Sequence, residues 1–198
     1  MSAHRGPRLV LLGKQGAGKG TQAERLAAHF RMQHLSTGQL FRDSAAAGVP
    51  AGLEAKEYMD RGELVPDKIV VAVVAERFAN PAEVDPGFVL DGFPRTENQA
   101  IELDGILGER GLDVVVDIDV PREVVLDRLA ARNREDDTED GIRRRLELYE
   151  SETKPLVDFY RERRLLVTID GVGEEDDVHR RVLAAIDARF DPLRADSA

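Results

Sequence analysis

The sequence predicts an α/β fold, a five-stranded parallel sheet with helices on both faces. Two observations point there. Short runs at 9–12, 34–36, 88–90, 114–120 and 165–169 are almost continuously apolar rather than alternating, as expected of strands covered on both sides. Longer stretches with helical spacing lie between them, and that alternation is the signature of a parallel sheet joined by crossovers. At 198 residues, 42% of them hydrophobic and 33% charged, the chain is large enough for one domain with its own core.

In order, the run 9–12 enters a glycine-rich turn and then a helix over 18–30, whose Ala23, Leu26, Ala27 and Phe30 share one side. The short strand 34–36 follows. Three helical patterns separate it from 88–90 where one would suffice; the last, 67–78, carries Val70, Val73, Val74 and Phe78. A helix over 96–109 presents Ala100, Leu103 and Leu107. Beyond the strand 114–120, residues 132–138 are wholly polar, and a long helical stretch over 138–163 should kink or break at Pro155, which lacks an amide hydrogen. The strand 165–169 and a helix over 176–190 complete the domain, with 191–198 expected to fray. No repeat and no long linker interrupts it.

Composition excludes several function classes. With 28 Lys+Arg against 38 Asp+Glu the net charge is -10, which argues against nucleic-acid binding and requires any polyphosphate ligand to meet a local basic cluster. Zero cysteines exclude disulfides, a thiol nucleophile and thiolate zinc sites, and His4, His29, His34 and His179 lack ligand spacing. The longest apolar run, 69–75, is too short to span a membrane, and the run 9–12 is too short for an export signal. A cytoplasmic protein is expected.

Chemistry concentrates at four motifs. Gly13-Lys14-Gln15-Gly16-Ala17-Gly18-Lys19-Gly20-Thr21 lies between a strand and a helix, where glycines let backbone amides point at an anion and Lys19 adds a full charge. This order predicts a P-loop NTPase fold. Phe88-Val89-Leu90-Asp91 reads as a Walker-B type strand end whose carboxylate serves a magnesium water shell, with Asp117 and Asp119 as rivals on pattern alone. Ser36 to Gln39 reads as a capping box. Arg128, Arg132, Arg134 and Arg145 flank Asp136 and Asp137, either a solvated helix face or a phosphate-binding cluster.

G-x-x-G-x-G-K-G-T resembles the nucleoside monophosphate kinases, and D-G-F-P-R-T at 91–96 resembles the adenylate kinases more specifically. The likeness runs over about 8–190. It implies Mg-dependent transfer between ATP and AMP to give ADP, by a monomer with no zinc, serving adenine nucleotide balance and AMP salvage. It divides the domain into a core (1–35, 66–131, 138–190), a helical AMP-binding insert (36–65), a short lid loop (132–137) and a tail. By the same resemblance Gly16, Ala17, Gly18, Lys19, Gly20, Thr21, Arg128, Arg132 and Gly173 serve ATP. AMP falls to Thr37, Gly38, Arg42, Glu63, Leu64, Val65, Gly92, Phe93, Pro94, Arg95 and Gln99, with Arg134 and Arg145. Lys19, Arg95, Arg132, Arg134 and Arg145 are the catalytic candidates. Asp91, with Asp136 and Asp137, would orient magnesium water.

Departures from that pattern are Gln15 where proline is usual, Gln39 where aspartate is usual, and the extra cation Lys14. A UMP/CMP kinase is the nearest rival, but Thr37 and Gln99 favour AMP, since the pyrimidine enzymes usually carry alanine and asparagine there. A GTP-dependent switch would need an N-K-x-D, which is missing. A catalytically silent nucleotide-binding module rests only on the two glutamines.

Overall fold

The structure is a computed structural model and describes residues 6–132 and 138–190, with only the backbone of Glu83 and Arg132. Its strands are β1 (Arg8–Leu12), β2 (Gln33–Ser36), β3 (Phe88–Asp91), β4 (Val114–Asp119) and β5 (Leu166–Asp170). They form one parallel sheet in the order β2-β3-β1-β4-β5. All five residues of β1 are buried, because the central strand is covered on both faces.

The helices are α1 (Lys19–Phe30), α2 (Thr37–Ala46), α3 (Pro50–Asp60), α4 (Asp67–Phe78), α5 (Pro81–Val84), α6 (Glu97–Leu107), α7 (Arg122–Arg132), α8 (Glu139–Leu148), α9 (Pro155–Glu162) and α10 (Glu175–Phe190). On one face of the sheet Val10, Leu12, Phe88, Leu90 and Val115 pack against Val70 and Val74 of α4, Leu103 of α6 and Leu156 and Tyr160 of α9. On the other, Leu9, Leu11, Val89, Val116 and Ile118 meet Leu26 of α1, Val125 and Leu129 of α7, and Val182 and Ile186 of α10. Side chains alternate between layers along each strand, which is why the runs read as continuously apolar.

The expected helix over 138–163 is two helices joined by a π turn, Tyr149–Thr153. The interruption falls just before Pro155, as expected, and Pro155 begins α9, where a missing amide hydrogen costs nothing. The helix α7 was not anticipated from the sequence, although six of its eleven residues are apolar and Val125 and Leu129, four residues apart, are buried.

Register aligns the site. Ser36 of β2 and Leu11 of β1 both pair with Asp91 of β3, so these strands end at one edge. The chain leaves β1 toward β2 and β3 on one side and later builds β4 and β5 on the other. The carboxyl end of β1 is therefore the switch point where α/β sheets bind ligands.

Candidate active site

At that edge a single cavity of about 940 Å³ opens, lined at one end by the turn after β1 and at the other by α2, residues 63–65 and the loop after β3. Gly13 starts the turn at φ 135, and a Cβ there would lie 2.6 Å from the Ile118 carbonyl oxygen, so only glycine fits. The Ala17 amide donates to the Lys14 carbonyl at 3.1 Å, closing the turn. No side chain caps α1, and Lys19, Gly20 and Thr21 of its first turn line the cavity. Uncapped amides at a helix start suit an anion. The Lys19 ammonium donates to the carbonyls of Gly13 (2.7 Å) and Lys14 (2.8 Å), curled against its own turn.

Lys14, the extra cation of the loop, folds toward the end of β4. Its Nζ donates to the Val120 carbonyl at 3.1 Å, pairs with Asp119 at 3.4 Å and lies 5.5 Å from the centre of the Tyr149 ring. It ties the turn to the end of β4. Arg128 of α7 reaches the same turn, donating to the carbonyls of Ala17 (3.3 Å) and Gly171 (3.0 Å).

The rival carboxylates separate cleanly. Asp91 lines the cavity, and its Oδ2 lies 3.6 Å from where a Cβ on Gly20 would sit. Asp117 is 6% exposed and sits behind the site, its Oδ1 without a hydrogen-bond partner. Burial raises the Asp117 pKa, and neighbouring Asp119 adds to the rise.

The far end is a set of cations. Arg42, Arg95 and Arg145 all line it. Burial lowers the pKa of Arg95; Asp91 opposes this, while Arg145 and Arg42 push the same way. Guanidinium groups that repel one another around an open space define a place for an anion. Arg95 is aimed by its own loop: Nε donates to the Gly92 carbonyl at 2.9 Å, and the Thr37 hydroxyl donates to the same oxygen at 3.0 Å. Gly92 has φ 84, and a Cβ there would come within 2.9 Å of Thr37 Oγ1. Gln39 is half of a capping box: its amide hydrogen reaches Ser36, but its side chain accepts from Arg42 (3.0 Å) and donates to Asp43 (2.7 Å).

Among the expected residues, Gly16, Ala17, Gly18, Gly38, Glu63, Leu64, Val65, Pro94, Gln99 and Gly173 also line this cavity. Phe93 does not. It is 1% exposed and packs into the core with Phe41 and Leu90, because the strand end turns its ring inward. The Arg132 side chain, Arg134, Asp136, Asp137 and thus the expected lid lie outside the described residues. Sequence reasoning missed Tyr149, Thr153 and Arg144. Arg144 donates to the Arg61 carbonyl (2.9 Å) and pairs with Glu63 (3.4 Å), linking α8 to the segment before α4.

Residues 11–165 match the family model described as Adenylate kinase. The chain belongs to the adenylate kinase family. It is 49% identical over 181 residues to an adenylate kinase of Nocardia farcinica (strain IFM 10152), covering 90% of this chain and 98% of the relative. An adenylate kinase of Xylella fastidiosa (strain 9a5c) is 44% identical over 185 residues, with 90% and 98% covered, and one of Stenotrophomonas maltophilia (strain K279a) 46% over 187 residues, with 91% and 100% covered. The chain is accordingly a nucleoside monophosphate kinase, an enzyme of phosphoryl transfer. Among the described residues no helix is long and apolar enough to cross a membrane.

Proposed function

We propose that the enzyme catalyses ATP + AMP ⇌ 2 ADP, with magnesium, in adenine nucleotide balance and AMP salvage. The observation that carries this reading is the one cavity with an uncapped helix start and Lys19 at one end and Arg42, Arg95 and Arg145 at the other. Two anionic groups are thereby held facing each other, and most of the acceleration comes from that positioning. The AMP phosphate is gripped by Arg42 and Arg95, while Lys19 leaves its resting carbonyls to stabilise charge on the transferring group. An acceptor oxygen of AMP attacks the γ phosphorus of ATP, the bond to the β–γ bridging oxygen breaks, and ADP leaves on each side.

The donor set fits magnesium carried by the nucleotide. Asp91 and the Thr21 hydroxyl are hard oxygen ligands beside the phosphate turn, and no group of three metal-ligating side chains gathers among the described residues. Bound there, the ion supplies neutralisation of phosphate charge. Asp91 would hold its water shell, with Asp136 and Asp137 as further candidates from the lid. Arg132 and Arg134 complete the cation set on the same reading.

A monomeric cytoplasmic enzyme without membrane partners belongs to the same reading, and the net charge of -10 supports the absence of a nucleic-acid partner. The test is ADP formation from MgATP with AMP, UMP or CMP, read by product chromatography. AMP should exceed the pyrimidine nucleotides at least tenfold in kcat/KM, about 1.4 kcal/mol. Equal use of CMP would move the chain to the pyrimidine branch.

A further inference from the structure

Gln99 is 1% exposed and lines the acceptor end, yet both ends of its side-chain amide are already engaged by the protein. Its Nε2 donates to Asp67 Oδ1 at 2.6 Å, and its Oε1 accepts from the Arg95 amide at 2.8 Å. Neither partner is ambiguous. A carboxylate only accepts, and a backbone N–H only donates. Turning the amide over would set Oε1 against the carboxylate and Nε2 against an N–H, two repulsive contacts in a place water does not reach.

Asp67 is itself fixed. It opens α4, lies outside the cavity lining, and its Oδ2 accepts from the Thr96 hydroxyl (3.1 Å) and the Asn98 amide (3.1 Å). The Thr96 oxygen in turn accepts from the Gln99 backbone amide at 3.2 Å, so that hydroxyl has its proton committed to Asp67.

We propose that Asp67 is a positioning residue for base selection: by locking the Gln99 amide it fixes which hydrogen-bond pattern the acceptor pocket offers. The inference rests on the reading above, with the AMP base against Gln99. One lone pair of Oε1 and one hydrogen of Nε2 remain uncommitted by these two bonds, an acceptor and a donor on one amide. Adenine offers the complement, an exocyclic NH₂ donor beside a ring nitrogen acceptor. Hypoxanthine and guanine offer the reverse, a carbonyl oxygen beside a ring N–H. A pocket built to pair one pattern rejects the other because its buried groups are left unmatched. IMP is the cleanest probe, since it has nearly the size and shape of AMP with the edge inverted.

Asp67→Asn reverses the constraint. Thr96 and Asn98 still donate toward one side of residue 67 and recruit its amide oxygen, leaving its NH₂ to face Gln99. Gln99 then gains by presenting oxygen there, against the single remaining pull of the Arg95 amide. The experiment measures kcat/KM for AMP and IMP with saturating MgATP in the wild type, Asp67→Asn and Asp67→Ala, together with KM for ATP. The expected result is a rise in the IMP/AMP ratio of about tenfold for Asp67→Asn. Asp67→Ala, which removes the acceptor without supplying a donor, should give a smaller rise, and KM for ATP should stay within about twofold in both. A purely structural role would lower AMP and IMP together and leave the ratio where it was. An unchanged ratio in Asp67→Asn, or a larger rise in Asp67→Ala, overturns the proposal while leaving AMP as acceptor intact. A wild type that uses IMP as well as AMP overturns the reading of the acceptor itself.

Discussion

The two ends of the cavity are built by different means. The phosphate turn is made of backbone: glycines permit the wrap, amides face inward, and Lys19 rests on two carbonyls of the turn itself. The acceptor end is made of side chains that reach across the fold. Gln99 is held by Asp67, 32 residues away, and the Thr153 hydroxyl donates to the Arg95 carbonyl, 58 residues away, at 2.9 Å. A phosphate is common to every nucleotide and needs only a generic cradle. A base must be told from other bases, and that takes oriented side chains. On the proposed reading, the first end supplies affinity and the second selectivity.

Removing Lys19 breaks the comparison most sharply. Lys19→Ala should lower kcat by about 10²–10³-fold, because it deletes a cation that acts on charge developing in the transition state. KM for AMP should move little, since the acceptor end is built separately. Near-normal turnover in this variant would remove Lys19 from the chemistry.

Arg95→Ala tests the opposite end. It should lower kcat/KM for AMP by about 100-fold through lost grip and lost alignment, with KM for ATP within about twofold. Steady-state kinetics with each substrate varied separates the outcomes; equal effects on both KM values would mean the ends are one coupled unit.

The phosphate turn and its neighbours were legible because their signal is local. Glycine and lysine spacing, D-G-F-P-R-T and the apolar strands each fit within ten residues of sequence. What remained hidden depends on distance in the chain. Lys14 meets Asp119 across 105 residues, and nothing near Lys14 tells a phosphate-facing cation from one folded back. Asp67 lies two residues beyond Val65, so the acceptor segment as read at 36–65 stops just short of it. Phe93 was assigned to the site by its motif, but the strand end carries its ring into the core. The helix α7 was also missed, although Val125 and Leu129 stand at helical spacing and are buried.

Lys14 gives a milder test of the backbone-built end. Lys14→Met keeps the stem but loses the ties to Asp119 and the Val120 carbonyl, and the glycine-rich turn gains freedom that ATP must then remove. KM for ATP should rise about threefold with kcat nearly unchanged. A matching fall in kcat with constant KM would show Lys14 acting on the reaction instead.

The smallest effect belongs to Asp117, beneath both ends. Its raised pKa means that the folded chain holds this proton more tightly than the unfolded chain does. Asp117 therefore contributes most at acidic pH, and stability is lost as pH rises through the folded value. Asp117→Asn removes that loss. Its Tm should exceed that of the wild type at about pH 7, and the gap should close toward about pH 3 and below, under the ordinary Asp value of about 3.9, where the carboxyl is protonated in both states. Thermal unfolding across pH reads this directly, and a gap that widened on acidification would contradict the assignment.

The π turn between α8 and α9 governs more than the path around Pro155. Lys154 donates to the carbonyl of Tyr149, five residues back, at 2.8 Å. The turn thus holds one residue more than an ordinary helical turn. Before the turn, Leu146 packs into one layer of the sheet; after it, Leu156, Phe159 and Tyr160 pack into the other. The two helices form a strap over the carboxyl edge, changing faces as it crosses, and Arg145 and Thr153 ride over the cavity at the crossing. The turn takes up its extra residue locally, so deleting one residue there would close it to ordinary helix and leave the two apolar faces on their separate layers. What would be lost is the seat of Thr153 over the acceptor end, and with it the hydrogen bond to the Arg95 carbonyl.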